Sequence, residues 1–441
     1  MRSQKAIFYC LTLFTIALCA RLLVGVWLYS VNIFVWDQWD FLAALFQHGP
    51  VSLWQLFIWQ HGPPRMGIGL PIMVAILKAT NLDQNALAYA TVGVMTLSGF
   101  AAMALKFRVC GKWTWNDLLI PVLFLNTSQW ENIFWVVDLS HGPLAVLLLL
   151  IFALLLSWRK GWLQIAGLVT TNFLAAFTGF SIFLSPLAAL YFASQAWFAP
   201  SSERRQQSIT GFLGTVFTVL LFMKGYVFQT SSTCFVFPDP HPERYFKFLA
   251  YTYARAVGAT QSYSLQTLIG LILCIAVIGL SLYLTYRFFR ATRQFRQMDW
   301  IIACFCGYAL LFGINAAIGR VCYGSQAGMA SRYVTYTVLG IFALHLKLQE
   351  TKAAKRVVPL FVALIVFFDL WPRHDDLIAV RETGEKKATW AKCYLKQHSI
   401  GECNTLSQFQ IYPAEGPGFK FLHDRLQFLE DNNLSFFRNG P

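Results

Sequence analysis

The chain alternates long apolar runs with shorter polar segments. A helix needs about 20 apolar residues to cross a bilayer, and fewer where neighbouring helices bury part of the span. We therefore predict an all-α polytopic membrane protein with about eleven transmembrane helices, near residues 6–30, 84–106, 114–126, 143–158, 162–179, 182–197, 209–228, 264–288, 300–317, 332–348 and 357–371.

Basic residues are concentrated in alternate loops of this arrangement. Clusters precede the first predicted span and follow the second, fourth, sixth, eighth and tenth. The positive-inside rule places those loops and the N-terminus in the cytoplasm. This divides the chain into a transmembrane domain, 1–371, and an external tail, 372–441.

The first external loop, 31–83, contains three apolar stretches that are too short to span. They lie at 41–46, 53–59 and 66–78, and the last begins after two prolines. We predict interfacial helices here, with their apolar sides in lipid.

Composition agrees with a membrane protein. Hydrophobic residues make up 56% of the 441 positions and charged residues only 13%. The net charge of +14 does not indicate nucleic-acid binding, because the Lys and Arg residues occupy short loops between apolar runs. Cys393 and Cys403 lie in the tail and can pair if the tail is outside, a question that the sequence leaves open.

Two carboxylates follow the first predicted span. Asp37 and Asp40 are three positions apart, so a helix would place them on one face. Such carboxylates can act as a general base or hold Mg²⁺ or Mn²⁺. The alternative is that both acids mark the water side of a helix end.

Further candidates lie elsewhere in the first external loop, in later external loops and at the start of the tenth predicted span. We expect His61, Glu131 and Tyr333 to bind substrate. Arginine can bind a phosphate through two parallel hydrogen bonds, which makes Arg65, Arg320 and Arg332 candidate phosphate ligands. The alternative for Arg65 and Arg332 is contact with lipid headgroups. For His141, before Gly142-Pro143, a turn role is favoured.

Several motifs resemble the GT-C superfamily of membrane glycosyltransferases. The segment Asp37-Gln38-Trp39-Asp40-Phe41 follows the first span, and residues 61–65 are similar to the Lys-Pro-Pro-Leu turn of aminoarabinose transferases. The architecture also resembles that of protein O-mannosyltransferases. Residues 129–135, Ser331-Arg332-Tyr333 and a tail with Tyr412-Pro413 resemble uncharacterised bacterial members.

This resemblance implies transfer of one sugar from a polyprenyl-phosphate donor to a glycan or lipid acceptor of the cell envelope. It implies a bacterial inner-membrane enzyme that contacts membrane lipids and has an external active site. Asp37 or Asp40 would be the base, with inversion and retention both open. A flippase for polyprenyl-linked sugars and a non-catalytic envelope-assembly scaffold are the alternatives.

Overall fold

A computed structural model describes residues 2–46, 51–158, 161–228, 234–258, 263–291, 295–350, 375–413 and 418–440, with a few positions between 351 and 374. Its α-helices are α1 (Arg2–Tyr29), α2 (Gln38–Phe41), α3 (Leu53–Ile58), α4 (Gly69–Ala79), α5 (Gln84–Cys110), α6 (Leu119–Phe124), α7 (Pro143–Leu156), α8 (Gly161–Ala176), α9 (Leu184–Trp197), α10 (Ser202–Met223), α11 (Glu243–Ala256), α12 (Tyr263–Ala291), α13 (Gln297–Arg320), α14 (Val334–Leu348), α15 (Asp375–Gln397), α16 (Ile400–Ser407), α17 (Gly418–Asp431) and α18 (Phe436–Asn439).

Short helical turns connect these helices. One is a π-helix, Glu131–Trp135. The others are 3₁₀-helices, at Ala43–Leu45, Trp115–Leu118, Thr127–Gln129, Ser181–Phe183, Val321–Tyr323, Ser325–Met329 and Ser331–Tyr333.

Five helical segments of the described chain are long and apolar enough to cross a membrane. They are Ser3–Tyr29, Gln84–Cys110, Ser202–Met223, Ser264–Arg290 and Gln297–Tyr323. Large apolar side chains remain exposed on them, including Trp27 at 74% and Leu282 at 65%. Exposed apolar surface of this extent is expected where a helix faces lipid. The prediction of a helical membrane protein is therefore supported.

The predicted number of spans is not established. Helices α7, α8, α9 and α14 have 14 to 16 residues each. The span expected at 114–126 is wrong as a single helix, because a 3₁₀ turn leads into the six-residue α6. Most of the span expected at 357–371 lies outside the described residues.

Helix α4 differs from the predicted interfacial helix. Its apolar residues Leu70, Met73 and Leu77 are fully buried within the protein. A Cβ on Gly69 would come within 2.5 Å of the Ser140 side chain, so this glycine permits close packing. The expectation that this apolar side lies in lipid is wrong, because protein atoms cover it. In α3, by contrast, Leu53 and Trp54 are exposed.

One basic residue that we assigned to a cytoplasmic loop is instead buried in an ionic cluster. The Lys106 ammonium donates to the Asp117 carboxylate and, at 2.7 Å, to the Lys112 carbonyl. The Nε2 of His345 lies 3.0 Å from the other Asp117 oxygen. All three side chains are fully buried, so the cluster ties α5 and α14 to the turn before α6.

The C-terminal tail packs against the bundle. Lys387 of α15 donates to the carbonyls of Phe134 and Trp135, both at 2.6 Å. Asp376 pairs with Arg255 of α11. A Cβ on Gly384 would lie 2.5 Å from the Tyr29 carbonyl oxygen, so α15 approaches the end of α1 closely.

Two disulfides join the described cysteines of predicted external segments. Cys393 pairs with Cys403 in the tail, and Cys234 pairs with Cys322 between two loops. The sequence had left the first pair open, and the second was not predicted.

Candidate functional site

The acidic motif is held in an uncommon backbone conformation. Trp36 has a φ of +51°, in the left-handed region that non-glycine residues rarely adopt. Its backbone N–H donates to the Ile411 carbonyl at 2.7 Å, and its indole N–H donates to the Gln410 carbonyl at 2.8 Å. The tail thus stabilises the turn that precedes Asp37.

Gln38 fixes the motif from the opposite side. Its buried side-chain amide donates to Gln84 at 2.8 Å and to the Val137 carbonyl at 3.0 Å. Its side-chain oxygen accepts from the Val35 N–H at 2.9 Å. The two carboxylates therefore flank an anchored glutamine.

Asp37 is the more accessible of the two acids. It precedes α2 but makes no side-chain capping bond. Its carboxylate lies 3.7 Å from the Nε2 of His61, and its side chain is 60% exposed against 22% for the histidine. This carboxylate is therefore open to an incoming molecule.

The Asp37–His61 pair shifts the pKa of both groups. Burial alone would raise the pKa of Asp37, but His61, Arg332 and His141 outweigh it and hold that pKa below its ordinary value. Burial alone would lower the pKa of His61, but Asp37, Asp40 and Asp138 outweigh it and raise that pKa. The pair favours an anionic Asp37 beside a cationic His61.

Asp40 interacts with the tail. Both of its carboxylate oxygens accept from the Tyr412 hydroxyl, at 3.1 and 3.2 Å. Burial raises the pKa of Asp40, and the charge of Asp37 adds to the effect. Arg425 donates to the neighbouring Trp39 carbonyl. Asp40 is thus half-buried beneath tail residues.

A second histidine–aspartate pair lies beside the first. The Nδ1 of His141 is 2.5 Å from Asp138, whose other oxygen accepts from the Ser140 and His141 backbone N–H groups. Those interactions lower the pKa of Asp138 against the effect of burial. The His141 ring stacks on His61 with centroids 6.2 Å apart. The turn role predicted for His141 is confirmed, but the residue also borders the site.

Glu131 and Arg332 meet across two loops. The Arg332 backbone N–H donates to the Glu131 carboxylate at 3.2 Å, and its guanidinium lies 3.8 Å from the same oxygen. The Ser331 hydroxyl accepts from the Glu131 backbone N–H at 3.0 Å. The Arg332 side chain is 53% exposed, and its charge acts on Asp37. Three predicted loops therefore meet at Asp37.

Three other predicted site residues have different surroundings. The guanidinium of Arg65 is buried and donates to the carbonyls of Phe222, Lys224 and Ile58. Tyr333 is buried against Phe248 and Phe312. The guanidinium carbon of Arg320 lies 5.9 Å from the centroid of the Tyr323 ring. The guanidinium of Arg65 is thus engaged with main-chain carbonyls, which disfavours the phosphate role predicted for it.

Asp37 and Asp40 are the predicted ligands of a metal ion. Within the described part of the chain, no group of three or more His, Cys, Asp or Glu side chains is arranged to hold a metal ion. Asp37 faces His61 and Asp40 accepts from Tyr412. A Mg²⁺ or Mn²⁺ ion at Asp37 and Asp40 would need most of its ligands from phosphate and water.

Four contributors to the site had no predicted role in it: Asp138, His141, Tyr412 and Arg425. The spacing of Asp138 and His141 was a usable local signal, because residues three apart can meet within one turn. Nothing local indicates the tail residues, since Tyr412 lies 372 positions from Asp40.

No family model matches the chain, and no curated protein sequence matches it significantly.

Proposed function

We propose that this protein is a membrane glycosyltransferase that moves one sugar from a polyprenyl-phosphate donor to an external acceptor. The observation that carries the proposal is the accessible Asp37 carboxylate, paired with His61 at 3.7 Å and near the Arg332 guanidinium. An acid beside fixed positive charge suits a reaction that removes a proton and releases a phosphate.

Asp37 acts as the base in this mechanism. The acceptor hydroxyl gives its proton to Asp37 while its oxygen forms a bond to the anomeric carbon. The bond between that carbon and the phosphate oxygen breaks, and polyprenyl phosphate leaves with the electron pair. This single displacement inverts the anomeric configuration.

Arg332 and His61 stabilise the leaving phosphate. Arg332 is half-exposed and always charged, and the raised pKa of His61 favours its cationic form. Glu131 holds the backbone of Arg332. Arg320, which lies over the Tyr323 ring, is a further candidate cation for the phosphate, and a Mg²⁺ or Mn²⁺ ion held by Asp37 and Asp40 would add to charge neutralisation.

The orientation of the site is part of the proposal. Both disulfides fall in segments that the positive-inside rule places outside the cytoplasm. Disulfides persist in oxidising compartments such as the periplasm. This supports an active site outside the cytoplasm, and the resemblance described above is the ground for assigning it to a bacterial inner membrane.

Reconstitution tests the proposal against a flippase and a scaffold. Vesicles containing the protein would receive undecaprenyl phosphate-linked hexoses and pentoses that carry a radiolabel, together with envelope glycans and lipids as acceptors. We expect label in an acceptor and release of undecaprenyl phosphate. Movement of the labelled lipid across the bilayer without transfer would contradict the enzyme and favour the flippase. Absence of both activities, with a partner held by residues 372–441, would favour the scaffold.

A further inference from the structure

A cavity of about 540 Å³ lies between the acidic motif, the π-helix and the tail. Its volume is in the range of small-molecule sites, about 300–1,000 Å³. The acidic motif and the tail also touch close to this cavity. Trp36 lines it, and the Tyr412 hydroxyl contacts Asp40. Asp37 does not line the cavity, but Trp36, the residue directly before it, does.

Aromatic rings form one wall of the cavity. Trp135 lies between Trp36 and Phe409, with both pairs of ring centroids 5.7 Å apart and the ring planes steeply inclined. All three rings are cavity-lining, and Trp36 and Trp135 are only partly buried. The negative face of an aromatic ring attracts partly positive C–H groups, which a sugar ring presents on its flat sides.

Hydrogen-bonding side chains form the other wall. Asn404 accepts from the Trp390 indole through its side-chain oxygen at 2.7 Å, and its amide nitrogen donates to none of the described residues. Glu382 and Lys386 lie four apart on α15 and are exposed, as are Gln408 and Gln410. Donors and acceptors of both charges thus face aromatic rings, an arrangement that suits a ligand with many hydroxyl groups.

We propose that this cavity binds a saccharide, which is the acceptor of the transfer reaction. The inference rests on the proposed function for the acceptor role, but not for saccharide binding itself. The saccharide can be part of a glycan chain or the headgroup of a glycolipid, because both present the same sugar groups. In either case the bound sugar would present a hydroxyl to the adjoining acidic motif.

Binding can be measured without transfer. The full-length protein in nanodiscs, free of glycoside detergents, would be applied to an array of neutral and amino-sugar oligosaccharides of two to six units. A parallel array would carry the same sugars on lipid. Binding to free oligosaccharides identifies a glycan chain, and binding only to the lipid-linked form identifies a glycolipid headgroup. Binding to neither form would overturn the proposal.

Variants place the binding in the cavity. Trp135→Leu removes an aromatic face, and the double variant Glu382→Ala, Lys386→Ala removes exposed polar groups with little risk to folding. Each should weaken saccharide binding by about tenfold or more. Lys392→Ala, an exposed change on α15 that does not line the cavity, is the matched control. Unchanged binding in the double variant would overturn the proposal even if Trp135→Leu fails to fold.

An Asp37→Asn variant separates this inference from the proposed function. It should bind the saccharide as wild type does, because Asp37 does not line the cavity. If wild type binds the saccharide at the cavity but transfers no sugar, saccharide binding is confirmed and the glycosyltransferase proposal is contradicted. Alternatively, wild type transfers sugar with an acceptor KM that is the same in the cavity variants. That result would contradict the acceptor role of the cavity and would not contradict the glycosyltransferase proposal.

Discussion

The pKa of Asp37 is set by opposing influences, and His61 provides the largest one that lowers it. Burial raises that pKa, while His61 lowers it through direct interaction and through charge. Burial, together with the charge of Asp37, raises the pKa of Asp40 even though the Tyr412 hydroxyl donates to its carboxylate. Two carboxylates three positions apart are thus placed in different environments, and the accessible one remains ionised.

A His61→Asn variant should show a shifted pH profile. Without the histidine, Asp37 loses the strongest influence that lowers its pKa, so that pKa rises and the ionised form is lost at a higher pH than in wild type. We expect the acid limb of the kcat–pH profile, which reflects the lowered pKa of Asp37 in wild type, to move to higher pH in the variant. His398→Asn, a change in the tail far along the chain from the motif, is the control. An acid limb at the same pH in His61→Asn would show that Asp37 is not the titrating base.

Residue identity alone predicted part of this site. The sequence indicated Asp37, Asp40, His61, Glu131 and Arg332, and the structure brings these residues together. Arg65 looked equally suitable, but its donors are bound to main-chain carbonyls. Whether a guanidinium faces a ligand or the protein's own backbone depends on tertiary contacts, which no local pattern encodes.

At the scale of helices, two buried basic residues add polar ties between elements to the apolar core. Lys106 of α5 donates to Asp117 before α6, and Lys387 of α15 donates to the carbonyls of Phe134 and Trp135. The helical pattern predicted α1 and α5 well, because their apolar runs are long. It did not predict the environment of α4, because an amphipathic face can pack on lipid or on protein with the same sequence.

An Asp117→Asn variant should destabilise the protein strongly. It leaves the Lys106 ammonium buried without a counter-charge, which costs about 3–5 kcal/mol in comparable buried pairs. Thermal unfolding in detergent would show a lower Tm than wild type or than the exposed control Glu402→Gln. Adding Lys106→Met should recover part of the loss. An unchanged Tm in the single variant would show that the ionic cluster is not a structural tie.

The contribution of Lys387 to stability should depend on pH. Burial lowers the pKa of Lys387 to about 7, against about 10.4 in an unfolded chain. Between these values the unfolded chain binds more protons, so stability rises with pH, by at most about 1.4 kcal/mol per pH unit.

A Lys387→Met variant lacks this titration. The Tm of wild type minus that of the variant should therefore increase from pH 7 to pH 10. A difference that stays constant over this range would mean that the lysine titrates normally in the folded protein.

At the scale of the whole molecule, the acidic motif is assembled by segments far apart in the chain. Residues 410–412 contact Trp36 and Asp40, and α17 contacts Trp39 through Arg425. Hydropathy predicted a membrane bundle followed by an external tail. It could not predict that the tail would complete the site, because such pairs leave no trace in local periodicity.

Cysteine labelling tests the proposed orientation. Single Lys78→Cys and Glu402→Cys variants should react with a membrane-impermeant maleimide added outside the cell, and Arg290→Cys should react only after the membrane is opened. All three side chains are exposed, so accessibility within the protein does not limit labelling. Protection of Lys78→Cys with labelling of Arg290→Cys would reverse the proposed topology.

The central claim is that Asp37 is the catalytic base, and single-turnover sugar transfer tests it most directly. With bound radiolabelled donor in proteoliposomes, Asp37→Asn should slow transfer by about 10²–10⁴-fold, the usual contribution of a general base. Asp40→Asn should slow it less, and Glu402→Gln should match wild type. A wild-type rate in Asp37→Asn, with the donor still bound, would contradict the account.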